Sequence, residues 1–320
     1  MAALKGVILD RDSLHPDDLD LRPLLNIAAV DWHSYANTSA SQTAQRIARA
    51  DIVLTNKVLL GAAEIGAASQ LKYIGVLATG TNVVDHRAAQ QRHITVNNCV
   101  AYGTASVVQH TWALILSLST QLQAYHRVAQ EAWSQSPFFS VLDHPISELA
   151  GKTLGIIGYG ELGRGVAAVG RAFGMNIVSA AIPGWQSASH RTTPRLPLAQ
   201  FLASADVVSI HCPLSEQTHN LIDRQELQQM KASALLINCA RGGIVNETAL
   251  AQALRQGSIA GAGVDVLTRE PPRDGNALLA PDIPNLIITP HCAWGSREAR
   301  QRLVVQAADK LGAFIGAVQR

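Results

Sequence analysis

Short apolar runs alternate with polar or alanine-rich stretches of helical length along almost the whole chain. In the first third, the apolar runs are GVILD (6–10), DIVLTN (51–56), LKYIGVLAT (71–79) and ITVNN (94–98). Each run lies beside a stretch with a helical pattern, for example residues 39–50. Such alternation is typical of β–α units on a parallel sheet. It therefore constrains the chain to an α/β fold.

A second series of apolar runs begins at Leu149 and is longer and more regular than the first. The predicted strands are 153–158, 176–182, 206–213, 234–240, 261–267 and 285–291. The predicted helices between them are 161–173, 223–230 and 246–256. Continuous runs of β-branched and other apolar residues indicate strands buried on both faces, as in a doubly wound sheet. We therefore expect two α/β layers, each built on a parallel sheet.

Three segments stand outside this alternation. A single long buried helix is predicted from Thr104 to Gln130, since apolar residues recur along it at helical spacing. The stretch 134–145 contains two prolines and is predicted to be a linker. The last helix, 296–315, has no strand after it, so it is expected to return to the first layer.

Composition limits the possible partners and locations. The chain has 320 residues, 48% of them hydrophobic and 16% charged, which is enough for two domains with large cores. A net charge of +2, with no long basic run, argues against nucleic acid as a partner. The four cysteines lie far apart, which predicts reduced thiols, no metal site and a cytoplasmic protein. The most apolar helical segment, 113–120, is too short for a membrane span, and residues 1–10 predict a first strand rather than a signal peptide.

The segment TLGIIGYGELGRGVA contains a glycine motif at the start of a predicted helix. Its residues are Gly158, Tyr159, Gly160, Glu161, Leu162 and Gly163. Glycines at this spacing allow a tight turn, close approach of a pyrophosphate and close packing of helix on strand. The motif alone is weak evidence, and a simple glycine turn is the alternative. Its position between an apolar strand and a helix favours a dinucleotide site.

The next strand lacks the carboxylate that commonly binds the adenosine ribose of NAD. Ala181 stands at that position, and no Asp or Glu occurs from Leu162 to Ala205. The basic residues nearby are Arg164, Arg171, His190, Arg191 and Arg195. Without the carboxylate a 2′-phosphate is not repelled, and an arginine would attract it. The sequence therefore favours NADP(H), with surface arginines and NAD binding through other contacts as the alternative.

Four polar side chains occur within or just after strands of the second series. They are Arg241, Asp265, Glu270 and His291. Since ligands bind at the carboxyl ends of such strands, we expect these side chains to converge. Glu270 beside His291 would favour the imidazolium and raise its pKa, which makes His291 a candidate proton donor, and Arg241 can bind a carboxylate. Each residue taken alone has an ordinary structural explanation, but their joint occurrence indicates a site.

Six stretches together resemble the D-isomer-specific 2-hydroxyacid dehydrogenase family. They are GVLATGTNVVD (75–85), GIIGYGELG (155–163), HCPLSEQTHNLID (211–223), NCARGGIVNETALAQAL (238–254), GVDVLTREPP (263–272) and TPHCAWGSREAR (289–300). The resemblance runs almost end to end. Through VAYGTASVVQHT (100–111) and the last stretch, the chain is most similar to the glycerate dehydrogenase and hydroxypyruvate reductase group.

The resemblance implies a role for each matched residue. His291 is the acid–base residue with Glu270 as its partner, and Arg241 binds the keto acid. Substrate carboxylate binding by backbone N–H groups is implied for Leu77, Ala78, Thr79 and Gly80. Cofactor contacts are implied for Thr104, Gly158, Gly160, Glu161, Leu162, Gly163, Ala181, His211, Pro213, Thr218, Cys239, Ala240, Asp265 and His291. Among these, Asp265 would lie near the carboxamide, while His211 and Pro213 would line the adenosine side.

The resemblance also implies the domain plan and the assembly. A smaller flavodoxin-like substrate domain is expected from residues 1–99 and 291–320, and a Rossmann-type dinucleotide-binding domain from residues 100–290. A homodimer built around the helix that begins near Thr104 is expected.

The activity that these features predict is NAD(P)H-dependent reduction of a small 2-keto acid to the D-2-hydroxy acid. Hydroxypyruvate and glyoxylate are the favoured substrates. Phosphohydroxypyruvate, and so a phosphoglycerate dehydrogenase, is less favoured because no regulatory domain follows residue 320. Formate dehydrogenase is disfavoured because Glu270 is a carboxylate where related enzymes with that chemistry have an amide. A non-catalytic dinucleotide-sensing protein of the same fold is the alternative from another class.

Overall fold

The computed structural model describes residues 3–182 and 193–318. The chain divides into two compact units. Unit 1 comprises Met1–Gly103 and Gly295–Arg320, and unit 2 comprises Thr104–Trp294. These boundaries lie a few residues from those predicted at 99 and 290. No helix within the described ranges is both long and apolar enough to cross a membrane.

Unit 1 is built on a five-stranded parallel sheet. Its strands are β1 (Leu4–Ile8), β2 (Val30–Ser34), β3 (Ile52–Thr55), β4 (Tyr73–Val76) and β5 (Thr95–Asn98). Its helices are α1 (Arg22–Leu25), α2 (Ala40–Ile47), α3 (Ala62–Ala67) and α4 (His86–Gln91), with 3-10 turns at Arg11–Leu14 and Pro16–Asp18. The strand order β2-β1-β3-β4-β5 is that of flavodoxin-like sheets.

The C-terminal helix, Arg297–Val318, belongs to unit 1. The ring of Phe314 packs on that of Tyr73 in β4, with 4.8 Å between the ring centroids. Near the start of the helix, the buried Arg300 donates to the carbonyl oxygens of Leu14 and His15 and forms an ion pair with Asp18. The helix is therefore anchored to the first segment of the chain at both ends.

Unit 2 is built on a seven-stranded sheet in which every neighbouring pair is parallel. Its strands are β6 (Thr153–Ile157), β7 (Asn176–Ala181), β8 (Arg195–Pro197), β9 (Val207–Ile210), β10 (Leu235–Asn238), β11 (Gly261–Val264) and β12 (Leu286–Ile288). Its helices are α5 (Thr104–Ser119), α6 (Leu122–Glu131), α7 (Glu161–Ala172), α8 (Leu198–Ser204), α9 (Arg224–Gln229) and α10 (Glu247–Arg255), with 3-10 turns at Trp133–Gln135 and Ala277–Leu279.

The strand order of unit 2 reverses direction between β6 and β9, as the order runs β12-β11-β10-β9-β6-β7-β8. This is the Rossmann arrangement, extended by one strand. Strands β9, β10 and β11 are buried at every residue, which explains why their sequences are apolar apart from Ser209 and Asn238. The predicted fold class, α/β with two doubly wound parallel sheets, is confirmed.

The helix predicted from Thr104 to Gln130 is wrong as a single element. It breaks into α5 and α6 at Gln121, whose φ of 54° lies in the left-handed region. Just before the break, the hydroxyls of Ser119 and Thr120 both donate to the carbonyl oxygen of Leu116. Such side-chain bonds compete with the helical hydrogen bonds and favour termination.

Two strands were not predicted, and both lie at sheet edges. Strand β2 has three polar residues among its five, and β8 is three residues long and ends in Pro197. An edge strand faces solvent and tolerates polar residues and proline, so it lacks the apolar signature of a central strand.

Candidate active site

The glycine motif follows β6 and leads into α7, and its three glycines have different reasons to be glycine. Gly158 has φ +93°, and a Cβ there would lie 2.5 Å from the backbone nitrogen of Cys212. A Cβ on Gly163 would lie 2.2 Å from the carbonyl oxygen of Gly158. A Cβ on Gly160 would meet nothing within 4 Å. The fold therefore requires two of the glycines, while the space beside the third is open.

This open space lies at the N-terminus of α7, for which Gly160 is the N-cap without a capping side chain. The first N–H groups of such a helix have no intrahelical partner and favour an anion. The hydroxyl of Thr104 donates to Glu161 Oε1 at 2.5 Å, so the structure brings together two of the predicted cofactor contacts. A dinucleotide pyrophosphate fits this turn, since a Cβ on Gly160 would fill the space that it needs.

The end of β7 is where the sequence predicts a site that tolerates a 2′-phosphate. Ala181 is half-buried at the last position of the strand. Arg171 donates to the Tyr159 hydroxyl at 3.0 Å and to Thr193 Oγ1 at 3.2 Å, which ties it to the glycine turn. Arg195 is exposed in β8. The exposed side chain of Arg164 lies in α7, whereas His190 and Arg191 lie outside the described residues.

The segment after β9 packs directly against the glycine turn. The backbone of His211 is where a Cβ on Gly158 would collide. The part-buried His211 ring contacts Ser209 Oγ through Nε2 at 2.8 Å, and its buried Nδ1 has no partner. Burial lowers the pKa of His211 to about 4, so the ring is neutral at physiological pH. A neutral ring suits a wall of an adenosine pocket.

Thr218 is 1% exposed, so its side chain is not accessible to a bound cofactor, in contrast to the prediction. Its hydroxyl donates to the carbonyl oxygen of Pro213 and accepts from the N–H of Ser215, both at 2.7 Å. Thr218 therefore shapes the turn that presents Pro213. Whether Pro213 contacts the cofactor stays a prediction.

Arg241 lies in a turn that follows β10 and is held by Asn238. The buried Asn238 amide accepts from the N–H of Ala240 at 3.1 Å and donates to the carbonyl oxygen of Arg241 at 3.0 Å. A Cβ on Gly242 would lie 2.0 Å from the backbone of Leu267, so the turn packs closely on the segment after β11. These contacts hold the half-buried Arg241 beyond the carboxyl end of its strand.

His291 and Glu270, which the sequence predicts to be an acid–base pair, lie in hydrogen-bond contact. The distance from His291 Nδ1 to Glu270 Oε2 is 2.6 Å, and Glu270 Oε1 accepts from the N–H of Leu267 at 2.8 Å. A carboxylate can only accept, so Nδ1 carries a proton and Nε2 is the nitrogen left for proton transfer. Both side chains are partly exposed, at 28% and 34%. The pair is thus fixed in orientation and still accessible.

Asp265 follows β11, and its side chain is 1% exposed. The carboxylate accepts from the backbone N–H groups of Cys292 and Ala293, at 2.9 and 3.0 Å, next to His291. Asp265 therefore acts on the turn that carries His291. Its predicted approach to the cofactor carboxamide stays a prediction.

Cys239 and Ala240 are buried between β10 and the Arg241 turn. Burial raises the pKa of the Cys239 thiol to about 12. It also raises the pKa of the exposed Cys292, with the Asp265 carboxylate adding to the effect. Both thiols are therefore protonated at neutral pH, and neither is activated as a nucleophile.

The loop from Leu77 to Gly80 lies in unit 1 and follows β4. The carbonyl oxygen of Thr79 accepts from the Asn98 side chain at 2.6 Å, and that of Ala78 accepts from the N–H of Cys99 at 3.0 Å. The loop is therefore fixed through its carbonyl groups to the end of β5. Its predicted contact with a substrate carboxylate stays a prediction.

Comparison with known proteins identifies the family of this chain. Residues 112–293 match the family model described as D-isomer specific 2-hydroxyacid dehydrogenase, NAD binding domain. The chain belongs to the D-isomer-specific 2-hydroxyacid dehydrogenase family. The resemblance predicted from the sequence motifs is confirmed, and the cofactor class of this family is a nicotinamide dinucleotide.

Individual relatives of the dehydrogenase match it over nearly its full length. It is 41% identical to a glycerate dehydrogenase of Methylorubrum extorquens, over 97% of this chain and 96% of the relative. It is 34% identical to a hydroxypyruvate reductase of Blautia hydrogenotrophica, over 98% and 97%. Among solved structures, the TT0316 protein from Thermus thermophilus has a TM-score of 0.85 at 29% identity, covering 98% of this chain and 97% of that one.

Four side chains around this dehydrogenase's predicted site were missed by sequence reasoning. They are Ser106, His110, Asn238 and Thr289. Asn238 binds the turn of Arg241 and Ser106 binds that of His291, while His110 binds Thr289 and Thr289 binds Asp265. Asn238 could have been predicted, because a polar side chain at the end of a buried apolar strand needs a hydrogen-bond partner. The other three lie in α5 or in the loop after a strand, where a serine, threonine or histidine does not by itself indicate a functional site.

Proposed function

We propose that this dehydrogenase reduces a small 2-keto acid, hydroxypyruvate or glyoxylate, to the D-2-hydroxy acid. The observation that carries the proposal is the 2.6 Å contact between His291 Nδ1 and Glu270, which directs Nε2 to proton transfer. Relatives named glycerate dehydrogenase and hydroxypyruvate reductase, which match nearly the whole chain, support the substrate class. A protein that only sensed dinucleotide would have no need of this pair.

His291 supplies the proton of the reaction. The negative charge of Glu270 stabilises the imidazolium, and the bond to Nδ1 fixes the ring. The proton on Nε2 passes to the keto oxygen as negative charge develops there, and His291 becomes neutral while Nδ1 keeps its proton. A nicotinamide dinucleotide held at the glycine turn would supply the hydride. In the reverse direction, neutral His291 accepts the hydroxyl proton.

Arg241 binds the carboxylate of the keto acid. A guanidinium offers paired N–H donors to the two carboxylate oxygens, which fixes the orientation of the carbonyl as well as the affinity. Arg241 Nη1 already donates to the carbonyl oxygen of Ala240 at 2.7 Å, so its side chain is held near its own turn. The remaining guanidinium donors are the ones that we propose bind the substrate carboxylate.

The dinucleotide that we propose is NADPH, because Ala181 places a methyl group where a carboxylate would repel a 2′-phosphate. Initial rates with hydroxypyruvate, measured at equal concentrations of NADPH and NADH, should be higher with NADPH. The Ala181→Asp variant is the matched control and should lose about tenfold in kcat/KM for NADPH, the factor expected from about 1.4 kcal/mol of repulsion.

A clear preference of the wild-type enzyme for NADH would show that other contacts determine the choice of cofactor. Turnover with neither hydroxypyruvate nor glyoxylate would contradict the proposed substrates. A panel of larger 2-keto acids then separates a different substrate from the absence of any reductase activity.

We also propose that the dehydrogenase is a homodimer and that the partner copy covers the segment 122–146. Large exposed apolar side chains are concentrated there: Leu122, Trp133, Phe138, Phe139, Leu142 and Ile146. The segment is ordered by its own contacts, such as that of the Tyr125 hydroxyl with the carbonyl oxygen of His144 at 2.6 Å. A concentrated apolar surface of this kind is typical of an interface between protein chains.

Changing Phe138 and Phe139 together to serine should shift the protein from dimer to monomer. The two rings are 73% and 92% exposed, so their loss removes interface contacts without opening the core. Sedimentation velocity at several concentrations measures the change. Leu59→Ser, at an apolar site in unit 1 that is 66% exposed, is the control and should stay dimeric. A double variant that remains a dimer would place the interface elsewhere.

A reducing compartment, the cytoplasm, is the location we propose. Its support is that all four cysteines are unpaired, three of them buried.

A further inference from the structure

A chain of hydrogen bonds lies behind the turn that carries His291, and the mechanism above does not use it. His110 Nε2 is 2.9 Å from Thr289 Oγ1, and Thr289 Oγ1 is 2.5 Å from Asp265 Oδ1. Asp265 in turn binds the N–H groups of Cys292 and Ala293. The chain therefore joins α5, the end of β12, the end of β11 and the His291 turn within unit 2.

The direction of each bond follows from the donors available. The Asp265 carboxylate can only accept, so the single proton of the Thr289 hydroxyl is donated to it. The Thr289 oxygen must then accept from His110, which places a proton on His110 Nε2. His110 Nε2 and Asp265 Oδ1 are 3.6 Å apart, too far for a direct hydrogen bond. Thr289 is therefore the required link between the two.

The His291 turn needs such support because its backbone is unfavourable. His291 has φ +53°, a left-handed conformation that is uncommon for a residue with a side chain. Its N–H donates to the carbonyl oxygen of Asp265 at 2.8 Å, and the next two N–H groups bind the carboxylate of the same residue. Three consecutive amides thus depend on the position of Asp265.

Helix α5 contacts this turn at two points one helical turn apart. Ser106 Oγ donates to the carbonyl oxygen of Ala293 at 2.7 Å, and His110 reaches Thr289 four residues further along the same face. Within the same segment, Trp294 Nε1 donates to the carbonyl oxygen of His291 at 3.1 Å. The turn is therefore held by side chains from α5 and from its own sequence.

His110, Asp265 and Cys292 also place three possible metal ligands within 4.8 Å of one another. Asp265 Oδ1 already accepts two hydrogen bonds there, from Thr289 and from the N–H of Cys292. A cation would have to displace the bonds that hold the turn. The cluster is better explained as structural support.

We propose that His110 and Thr289 are positioning residues, which act through Asp265 to place the His291 imidazole against Glu270. The inference rests on the proposed role of His291 as proton donor. Neither residue touches the reacting atoms. Loss of the Thr289 hydroxyl would leave the Asp265 carboxylate without one donor and His110 without its acceptor, so the carboxylate and the amides bound to it would shift.

Kinetics of matched variants test this proposal. Thr289→Val, which keeps the shape and removes the hydroxyl, should lower kcat by about 10- to 100-fold, as expected for a small misplacement of a catalytic group. Thr289→Ser keeps the hydroxyl and should stay within about threefold of wild type. His110→Leu should lose about tenfold, and His110→Gln, which retains a donor near Nε2, should recover most of it. The KM for NADPH should change less than kcat in all four variants, because the glycine turn is not part of this chain of hydrogen bonds.

The double variant distinguishes positioning from general damage. Because both residues act along one chain, Thr289→Val with His110→Leu should be no slower than Thr289→Val alone, within about twofold. Losses that multiply in the double variant would overturn the proposal. Wild-type kcat in a folded Thr289→Val protein would also overturn it. If Thr289→Val does not fold, the His110→Leu and His110→Gln pair decides.

A spectroscopic readout separates this proposal from the proposed function. The proton on His291 Nδ1, bound to Glu270, should give a low-field imidazole resonance that disappears in His291→Asn. Thr289→Val should shift or broaden this resonance, whereas Thr289→Ser should leave it unchanged. An unchanged resonance in Thr289→Val would overturn the positioning role, even if the wild-type protein reduced no 2-keto acid.

Discussion

Replacing His291 with alanine should lower kcat for hydroxypyruvate by about 10²- to 10⁴-fold, the range expected for loss of a general acid. Glu270 cannot substitute, because its Oε1 is held by the N–H of Leu267 and its Oε2 binds Nδ1, the ring nitrogen that is not left for proton transfer. The affinity for NADPH should stay within about twofold of wild type, since the glycine turn at the start of α7, the proposed pyrophosphate site, does not include His291. Steady-state kinetics and a fluorescence titration with NADPH measure the two quantities separately.

Two further variants show why activity is lost. His291→Asn removes the acid, but asparagine tolerates the left-handed backbone at this position, where φ is +53°. This variant should therefore be as inactive as His291→Ala. Recovery of activity in the asparagine variant would mean that alanine acts by disturbing the turn. Glu270→Gln keeps a hydrogen-bond acceptor for Nδ1 and removes the charge, so its loss of kcat should be smaller than that of His291→Ala. Near-normal turnover in His291→Ala would exclude the proposed mechanism.

The meeting of Glu270, His291 and Asp265 was predictable because parallel strands bring their carboxyl ends to one edge. That rule selected Arg241, Asp265, Glu270 and His291 from a chain with 26 Lys and Arg, 24 Asp and Glu and 11 His residues. The structure pairs Glu270 with His291 and places Asp265 under the His291 turn. The absence of a carboxylate at Ala181 was visible in the same way, as a position defined by its distance from the glycine motif.

The supporting contacts were not predictable, for a physical reason. The bond between His110 and Thr289 joins residues far apart in sequence, one on a helix and one in a loop. The sequence around neither residue indicates the other as its partner. The end of α5 depends on hydroxyls that bond back to Leu116, which competes with helix propensity over a few residues only. The edge strands β2 and β8 lack burial, the source of the apolar signal.

The largest structural effect is expected at Gly163. A methyl group there would lie 2.2 Å from the carbonyl oxygen of Gly158 and 2.9 Å from Ile156 Cγ2, and neither the backbone nor the buried strand can move away. Gly163→Ala should therefore lose about 3 kcal/mol or more of stability, the upper range for overpacking. Thermal unfolding and denaturant titration measure the loss, and little folded protein is the expected result.

Gly160→Ala is the matched comparison, because it makes the same change in the same turn without a collision in the protein. Its φ of −78° suits alanine, so stability should fall by about 1 kcal/mol or less, the effect of a poorer N-cap. The methyl group would instead occupy the space beside the α7 N-terminus, and NADPH affinity should fall about tenfold or more. The two variants thus separate the glycine that the fold needs from the glycine that the ligand needs. If Gly160→Ala bound NADPH as tightly as wild type, the pyrophosphate would have to lie elsewhere, and the assignment of this turn as the dinucleotide site would be wrong.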